Sequence, residues 1–250
     1  MIDETRKLLG KYIQTSELDI VLNKIFSKYS MSDKDHEYIQ KINEWSKCDK
    51  CSLCNTRDRV VFGAGSLTPK LFIIGEAPGP DEDESGIPFC GKIGKLFRQV
   101  LEKANISILD DVYITNILGC IPKDTFESKF RKPNQKEVNA CYPRLEYIIQ
   151  NIAHEAKVTM LLGKTAYAGY LSYMSKYSAN PLSYTNIEST IKISDELGWH
   201  EINGKTIYVT YHPSYIDRNR HSDSKEFKQW INDFTIVKNF IQTNEKIKRS

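Results

Sequence analysis

Chemically distinctive residues are concentrated in the segment Gly75–Gly94, which reads GEAPGPDEDESGIPFCGKIG. The apolar run Leu71–Ile74 before it indicates a short buried strand, and the apolar spacing of Lys95–Leu101 after it predicts a helix. Glycines in such a loop let the backbone approach a ligand closely, and Phe89 is an aromatic residue where solvent would usually dictate a polar one. The pattern favours a small-molecule or base pocket with Phe89 as a stacking wall. The alternative is an acidic surface loop with Phe89 packed into the core.

Six cysteines form the second group of chemical candidates: Cys48, Cys51, Cys54, Cys90, Cys120 and Cys141. The chain shows no secretion signal, so metal ligands or buried thiols are favoured over disulfides. The spacing of Cys48 and Cys51 can turn two thiolates towards one metal, and Cys120 and Cys141 could supply two more from the ends of a long loop. Four thiolates suit structural zinc or an iron–sulfur cluster, and spacing leaves both open. Cys54 and Cys90 compete as ligands, and buried free thiols are the alternative.

The elements that must position these residues alternate between strands and helices. Strands are predicted at Leu71–Ile74, Val112–Ile117, Val158–Gly163 and Thr206–Thr210, and a short strand and turn at Val60–Gly65. This order predicts an α/β fold with a mainly parallel sheet covered on both faces. The carboxyl ends of the strands would deliver Glu76, Asn116 and His212 to one edge of the sheet, where ligands bind in such folds. Residues 175–201 give no clear signal.

The 250 residues are 40% hydrophobic and 27% charged, as in ordinary globular proteins. We expect a helical extension over residues 1–45, a main domain over 46–243 and a basic tail over 244–250. No apolar run approaches the roughly 20 residues that span a bilayer, so we expect a cytoplasmic protein without membrane contact. The net charge of +3 is small, but basic loops at Lys123–Lys132 and Arg218–His221 suit phosphate contacts, with solvated surface charge as the alternative.

Seven ordered segments then carry a resemblance to a known family: CDKCSL, TRDRVVFGAG, LFIIGEAPGPDEDESGIPFCGKIG, VYITNILGC, RKPNQKEVNACYPRL, LLGKTA and YHPSYIDRNR. From about Cys48 to Arg220 the chain resembles the family-four uracil-DNA glycosylases, which carry a [4Fe–4S] cluster. The resemblance implies a three-layer α/β/α sandwich around a central four-stranded parallel sheet. It places the cluster ligands at Cys48, Cys51, Cys120 and Cys141. Cys54 and Cys90 are then spare thiols.

The resemblance also implies roles at the pocket, where a uracil flipped out of the DNA stack would bind. Phe89 would stack on the base, Asn116 would read its edge, and the backbone N–H of Ala77 would contact it. His212 would donate to the uracil oxygen that gains charge when the glycosidic bond breaks. Glu76 and Glu82 would orient water or stabilise the cationic sugar. Ala77 stands where relatives with an aspartate base carry that residue, so the identity of the base stays open, and the alternative is that Glu82, Asp83 and Glu84 are solvated charges.

Outside the pocket, the resemblance assigns DNA contacts to the last matching segment. Pro213, Ser214 and Tyr215, with Ile216, resemble the loop that pushes into the duplex, and Arg218 would hold phosphate. The implied function is a DNA repair hydrolase of base excision repair that removes uracil from single- or double-stranded DNA and leaves an abasic site. We expect a monomer. Residues 1–45 would dock a replication or repair protein or, alternatively, cap the core.

Two other functions remain open at this point. The first is a DNA-binding iron–sulfur protein of the same fold with lost or altered glycosylase activity, and the second is a zinc-stapled nucleotide-binding domain. Relatives that link covalently to DNA carry Gln at the position of Ala77 and a basic insertion that ends in His. Neither feature is present here.

Overall fold

The computed structural model describes residues 32–218 and 224–247, in a chain that divides into two compact units, residues 1–44 and 45–250. In the first unit the described residues begin helix α1 (Asp33–Ser46). Ser32 and Asp35 form its N-terminal cap, since the Ser32 N–H donates to Asp35 Oδ2 at 2.8 Å and the Asp35 N–H donates to Ser32 Oγ at 3.2 Å. The helices predicted before residue 32 lie outside the described residues, and the predicted domain boundaries stay a prediction.

The second unit is built on a six-stranded sheet in the order β1-β3-β2-β4-β6-β5. The strands are β1 (Ala64–Gly65), β2 (Leu71–Gly75), β3 (Val112–Asn116), β4 (Val158–Leu162), β5 (Gly198–Ile202) and β6 (Lys205–Thr210). The middle four are parallel, and the outer strands β1 and β5 run antiparallel to their neighbours. The predicted α/β class is confirmed. The predicted sheet of four strands is corrected to six, of which the four middle strands are those predicted.

The edge strand β5 escaped prediction because its residues are only partly buried and lack an apolar run. It pairs with β6 through a two-residue turn at Asn203 and Gly204, which have φ values of +49° and +72°. An Asn-Gly turn with both residues in the left-handed region is the favoured connection of a β-hairpin. That dipeptide is therefore the sequence signal from which β5 could have been predicted.

Helices cover both faces of the sheet. Those after α1 are α2 (Pro80–Ser85), α3 (Lys92–Lys103), α4 (Gln135–Asn151), α5 (Gly163–Ser175), α6 (Tyr184–Thr190), α7 (Pro213–Arg218) and α8 (Lys225–Thr243). Helices α3, α7 and α8 pack together on one face, over a core that includes Ile73, Met160 and Phe97. Helices α4, α5 and α6 pack together as the other layer. None of the described helices has both the length and the apolar character needed to cross a membrane.

Helix α8 fixes the carboxyl end of β6. Asp233 of this helix is fully buried and accepts hydrogen bonds from Tyr208 Oη at 2.8 Å and Thr210 Oγ1 at 2.5 Å. The indole N–H of Trp230 donates to the Tyr211 carbonyl at 3.1 Å. Buried hydrogen bonds of this kind hold a backbone in one position. They set the direction in which the chain leaves the sheet towards His212.

Candidate active site

A cavity of about 420 Å³ lies beyond the carboxyl ends of the parallel strands. Glu76 follows β2, Asn116 ends β3 and His212 follows β6, and all three line this cavity together with Phe89. The structure therefore brings together the residues expected at the strand ends. Parallel topology is the reason, because it places the carboxyl ends of all four middle strands at one edge.

Phe89 is held in an unusual backbone conformation at the cavity wall. Its φ is +53°, in the left-handed region that bulky residues rarely adopt, and its surface is 7% exposed. The Arg98 guanidinium donates to the Phe89 carbonyl at 2.5 Å, and the Phe97 ring lies 5.1 Å from the Phe89 ring between centroids. A side chain at Gly94 would collide with that carbonyl, since an added Cβ would lie 1.6 Å from it. Such strain is maintained by surrounding contacts and often marks functional sites.

The Asn116 amide occupies space that is open only because residue 75 is glycine. The β2–β3 register pairs Gly75 with Asn116, and a Cβ at Gly75 would lie 2.3 Å from Asn116 Oδ1 and 2.9 Å from Phe89 Cζ. Asn116 is 2% exposed, yet its amide makes no hydrogen bond to any residue in the described part of the chain. A buried amide normally has partners. Asn116 thus offers the cavity a donor and an acceptor that a ligand can satisfy.

Arg144 of helix α4 is a residue that the sequence reasoning missed. It is fully buried and donates to the backbone carbonyls of Asn116 at 2.5 Å and Ile117 at 3.1 Å and to Thr115 Oγ1 at 2.9 Å. Its Nε also lies 3.4 Å from Cys141 Sγ. One guanidinium therefore joins the cysteine region to the strand end that carries Asn116. The spacing of Cys141 and Arg144, three residues apart on one helix, is the signal that could have indicated it.

His212 is a neutral imidazole with a defined tautomer. The Ser214 backbone N–H donates to His212 Nδ1 at 3.2 Å, so Nδ1 is an acceptor and the ring proton lies on Nε2. Burial, assisted by the positive charge of Arg218, lowers the pKa of His212 to about 4. Gly163, with φ +84°, lets the start of α5 approach, because an added Cβ would lie 2.8 Å from His212 Cβ. The ring can therefore donate a hydrogen bond while remaining uncharged at neutral pH.

The two candidate carboxylates differ in their surroundings. Burial raises the pKa of Glu76, while a hydrogen bond from Thr165 and the charge of Lys132 oppose that rise. Glu82 also has a raised pKa, from burial, but its Oε2 accepts the Gly79 N–H at 2.9 Å as the cap of α2. Both line the cavity, as does Ala77. Glu82 therefore has a structural role as a helix cap, and Glu76 is the carboxylate that is less involved in holding the fold.

The residues predicted to contact DNA are placed unequally. Pro213 and Ile216 are buried, and Ser214 Oγ lies 2.8 Å from His212 Nδ1. Tyr215 is 38% exposed and stacks on Tyr211 with ring centroids 4.7 Å apart. Ser214 therefore contacts His212, and the DNA contacts of Pro213, Tyr215 and Ile216 stay a prediction. Arg218 is exposed and lines the cavity, at the end of the described residues before the gap.

Each of the four cysteines that the resemblance selected interacts electrostatically with at least one of the others. Burial, and then the neighbouring Cys141, raises the pKa of Cys120 to about 12, and Cys51 contributes to that rise. Burial raises the pKa of Cys51, to which Cys141 and Cys48 add smaller effects. Among the described residues, no three cysteine, histidine or carboxylate side chains converge closely enough to surround a single metal ion.

Hydrogen-bond donors surround this cysteine group. The Gly119 N–H donates to Cys141 Sγ at 3.2 Å, and the cations of Arg57 and Arg144 lower the pKa of Cys120. Donors and cations at sulfur are the surroundings that iron–sulfur thiolates require. The remaining cysteines have other neighbours: Cys54 Sγ lies 3.5 Å from Asn55 Oδ1, and Cys90 Sγ lies 3.0 Å from Ser85 Oγ.

Comparison with known proteins agrees with this geometry. The family model described as the uracil DNA glycosylase superfamily matches residues 62–235. A type-4 uracil-DNA glycosylase of Thermotoga maritima is 31% identical over 196 residues, which cover 78% of this chain and 90% of that protein. The type-4 enzyme of Archaeoglobus fulgidus is 31% identical over 75% of this chain and 88% of its own length, and that of Pyrobaculum aerophilum is 42% identical over 46% and 54%. On these matches, the chain belongs to the type-4 family of the uracil-DNA glycosylase superfamily.

Proposed function

We propose that this protein is a DNA repair hydrolase that flips uracil out of DNA and cleaves its N-glycosidic bond, leaving an abasic site. The observation that carries the proposal is one cavity in which three groups meet: a held aromatic ring, an amide with no hydrogen-bond partner among the described residues, and a neutral imidazole. Relatives that cover most of this chain are named type-4 uracil-DNA glycosylases. A uracil inside a duplex is inaccessible, so the base must leave the stack before it can enter such a cavity.

Uracil recognition falls to Phe89 and Asn116 in this proposal. The Phe89 ring forms the stacking wall, a contact worth about 1–3 kcal/mol in comparable systems. The Asn116 amide donates to uracil O4 and accepts from N3–H, which matches uracil and mismatches the cytosine edge. Arg144 binds the Asn116 backbone, so the amide is already positioned before the base binds. The backbone N–H of Ala77 is a further contact.

His212 stabilises the departing base. Cleavage of the N1–C1′ bond leaves negative charge on uracil and positive charge on the sugar. A neutral imidazole that donates Nε2–H to the charged uracil oxygen stabilises that charge, and the donor is already oriented by Ser214. A histidine with a pKa of about 4 keeps its proton on Nε2 and gains no second one at neutral pH. The imidazole therefore acts as a hydrogen-bond donor throughout the reaction.

Glu76 is the carboxylate that we assign to the water and the cationic sugar. A raised pKa brings a carboxylate closer to the operating pH, where it is a more effective base. Glu76 lines the cavity, and Thr165 and Lys132 limit the rise of its pKa. Glu82 contributes by holding the loop through the Gly79 N–H. We assign Glu82 only a secondary role in catalysis.

A [4Fe–4S] cluster held by Cys48, Cys51, Cys120 and Cys141 completes the proposal. Each thiolate of such a cluster binds a separate iron atom, so its four ligands need not converge on one point. The group supplies a covalent tie between the N-terminal cysteine segment and the loop after β3. Visible absorbance and iron content test this assignment, since a zinc protein would be colourless. Loss of absorbance in Cys120→Ser, with retention in Cys54→Ser, is the expected pattern.

The decisive experiment uses an oligonucleotide with a single uracil, followed by alkaline cleavage of abasic sites. We expect strand breaks at uracil and none at thymine. Asn116→Ala should lower the rate by about 100-fold or more, because it removes both hydrogen bonds to the base. Asn139→Ala is the matched control, since Asn139 is exposed on α4 and its amide oxygen accepts from Gln135.

Two results would contradict the proposal. Wild-type protein with intact cluster absorbance that leaves uracil in place would favour a DNA-binding protein without glycosylase activity. Full activity of Asn116→Ala would instead remove Asn116 from base recognition. Three further properties remain predictions: a monomeric state, a cytoplasmic location and docking of a repair protein through residues 1–45. They can be tested by size measurement, by localisation and by binding assays, respectively.

A further inference from the structure

The loop after β3 presents two exposed aromatic rings next to the cavity. Phe126 and Phe130, within residues 122–132, have relative exposures of 60% and 62%, although phenylalanine is usually buried. Phe130 also lines the cavity that contains Asn116 and His212. We call residues 122–132 the aromatic loop. Phe130 therefore borders the opening of the site, and Phe126 is exposed four residues before it in the same loop.

The aromatic loop is fastened at its base. The Arg131 backbone N–H donates to the Pro122 carbonyl at 2.9 Å, and its guanidinium binds Glu137 at 2.7 and 3.0 Å and Asp124 at 2.6 Å. Ser128 Oγ accepts the Asp124 N–H at 3.2 Å within the loop. Glu137 is itself buried at the start of α4. The phenylalanines are thus presented by a braced turn, and their exposure is a property of a defined conformation.

Charge indicates what this loop binds. Lys129 and Lys132 are exposed on either side of Phe130, and Lys123 Nζ lies 5.6 Å from the centre of the Phe126 ring. Aromatic rings interleaved with cations are the composition of surfaces that bind single-stranded nucleic acid, because bases stack on the rings while lysines attract phosphates. Lys132 Nζ also lies 2.6 Å from Glu188 Oε1, so part of this positive charge is balanced within the protein. A protein partner recognised by exposed phenylalanines alone would not need the lysines that flank the two rings.

Resting on the proposed glycosylase function, we propose that Phe130 stacks on the nucleobase next to the extruded uracil, and that Phe126 extends this platform along the strand. Phe130 borders the cavity from the β3 side, whereas His212 enters it from the β6 side. When a nucleotide enters the cavity, the base next to it in the strand loses one stacking partner. An aromatic ring at the rim of the cavity can take the place of that partner. The loop then favours strands whose bases are free to restack, which are single strands or locally opened duplexes.

Binding of uncleavable DNA tests the inference directly. The probe is a fluorescent single strand with one 2′-fluoro-2′-deoxyuridine, whose glycosidic bond resists cleavage, and the readout is the Kd from anisotropy. Phe130→Ala should weaken binding by about 5- to 150-fold, Phe130→Trp should restore it, and Phe130→Leu should not. Leu109→Ala is the matched control, because Leu109 is 81% exposed just before β3, at the opposite end of that strand from Asn116. The same lesion in a duplex should show a smaller loss.

A second readout locates the contact. With 5-iodocytosine beside the target nucleotide, ultraviolet irradiation should cross-link the wild-type strand to Phe130, as identified by mass spectrometry. On cleavable substrate, Phe130→Ala should raise KM far more than it lowers kcat. Unchanged Kd for the Phe126→Ala, Phe130→Ala double variant, or equal rescue by Leu and Trp, would overturn the inference. If wild-type protein still excises uracil in that case, only the proposed stacking of bases on Phe130 and Phe126 is wrong, and the aromatic loop would bind a protein partner instead. A wild type that leaves uracil uncut overturns both proposals.

Discussion

For two side chains of the cavity, a neighbouring residue determines which hydrogen-bonding groups remain available. His212 keeps its proton on Nε2 because the Ser214 N–H occupies Nδ1. Asn116 keeps its amide available because its backbone, and not its side chain, is bound by Arg144. Preorganised donors of this kind need no rearrangement when charge develops. At the scale of single residues, function therefore depends on partners that never touch the base.

The first residue prediction concerns pH and His212. Its pKa is about 4 when folded against an ordinary 6.5, so between these values the unfolded chain binds a proton that the folded chain does not. The free energy of unfolding should therefore fall as pH drops from about 6.5 to 4, by at most about 3 kcal/mol from this group. Denaturant titrations of wild type and His212→Gln should differ in slope within this window and run parallel above it. Equal pH dependence of the two proteins would contradict a neutral His212.

The second residue prediction concerns Arg144. Arg144→Met leaves several buried carbonyl acceptors without a donor, so we expect a loss of about 3–5 kcal/mol of unfolding free energy, with loss of uracil excision. Lys176→Met is the control, because Lys176 pairs with Glu146 at 2.8 Å and lies over the rings of Tyr173 and Tyr177, so its loss leaves no buried carbonyl without a donor and should cost less. Denaturant unfolding and the excision assay measure both. An Arg144→Met protein of wild-type stability would remove the proposed link.

Sequence reasoning identified the residues at strand ends and missed those behind them. Glu76, Asn116 and His212 could be predicted because each follows an apolar strand, and topology alone assembles them. Arg144 was missed because an arginine on a helix is usually solvated, and its three-residue spacing from Cys141 is the only local sign that it faces inward. The same limit applies to Phe130, whose exposure depends on how the loop folds.

At the scale of elements, the middle strands were predictable and the edges were not. β2 and β4 are buried throughout and mostly apolar because helices cover both faces, which makes their sequences distinctive. β1 has two residues, and β5 is half-buried and depends on its hairpin turn with β6. Short or partly polar strands carry little periodic signal. The ends of β2 and β3 nonetheless lie close enough to make Gly75 a structural requirement.

Gly75→Ala tests how tightly these two strand ends fit. An added methyl group would lie 2.3 Å from Asn116 Oδ1 and 2.9 Å from Phe89 Cζ, so both groups that contact the base in our proposal must move. Because a shift of about 1 Å at a reacting centre can cost about 100-fold, excision should fall by that order. Thermal unfolding and visible absorbance should change far less, which separates a local displacement from a folding defect. Normal excision would show that the cavity tolerates the movement.

At the scale of the whole molecule, every described site residue belongs to the second compact unit, residues 45–250. The first unit contributes no residue to the cavity among those described. We therefore expect the proposed chemistry to need only the larger unit. This separation follows from the contacts of the chain and could not be read from composition, which is ordinary throughout.

Removal of residues 1–31 tests that separation. The deletion keeps the Ser32 cap and all of α1, so we expect kcat/KM for a uracil oligonucleotide to stay within about twofold of wild type. A pull-down with replication or repair proteins, compared between the full chain and the deletion, tests the docking role. A large loss of kcat/KM would show that the extension acts in catalysis or supports the core.

Because the chain is synthesised from its N-terminus, the order of the strands along it also sets the order in which they become available to fold. Cys48, Cys51, Cys120 and Cys141 are all synthesised before β4, whereas His212 follows Cys141 by about 70 residues. At the usual rate of about 5–20 residues per second, the ribosome needs several seconds more to complete that distance. β6 must then pair with β4 before the histidine reaches the cavity. A nascent chain can thus gather its thiols, Glu76 and Asn116 while the strand that leads to His212 is still being made. The proposed site is complete only when this last parallel strand docks.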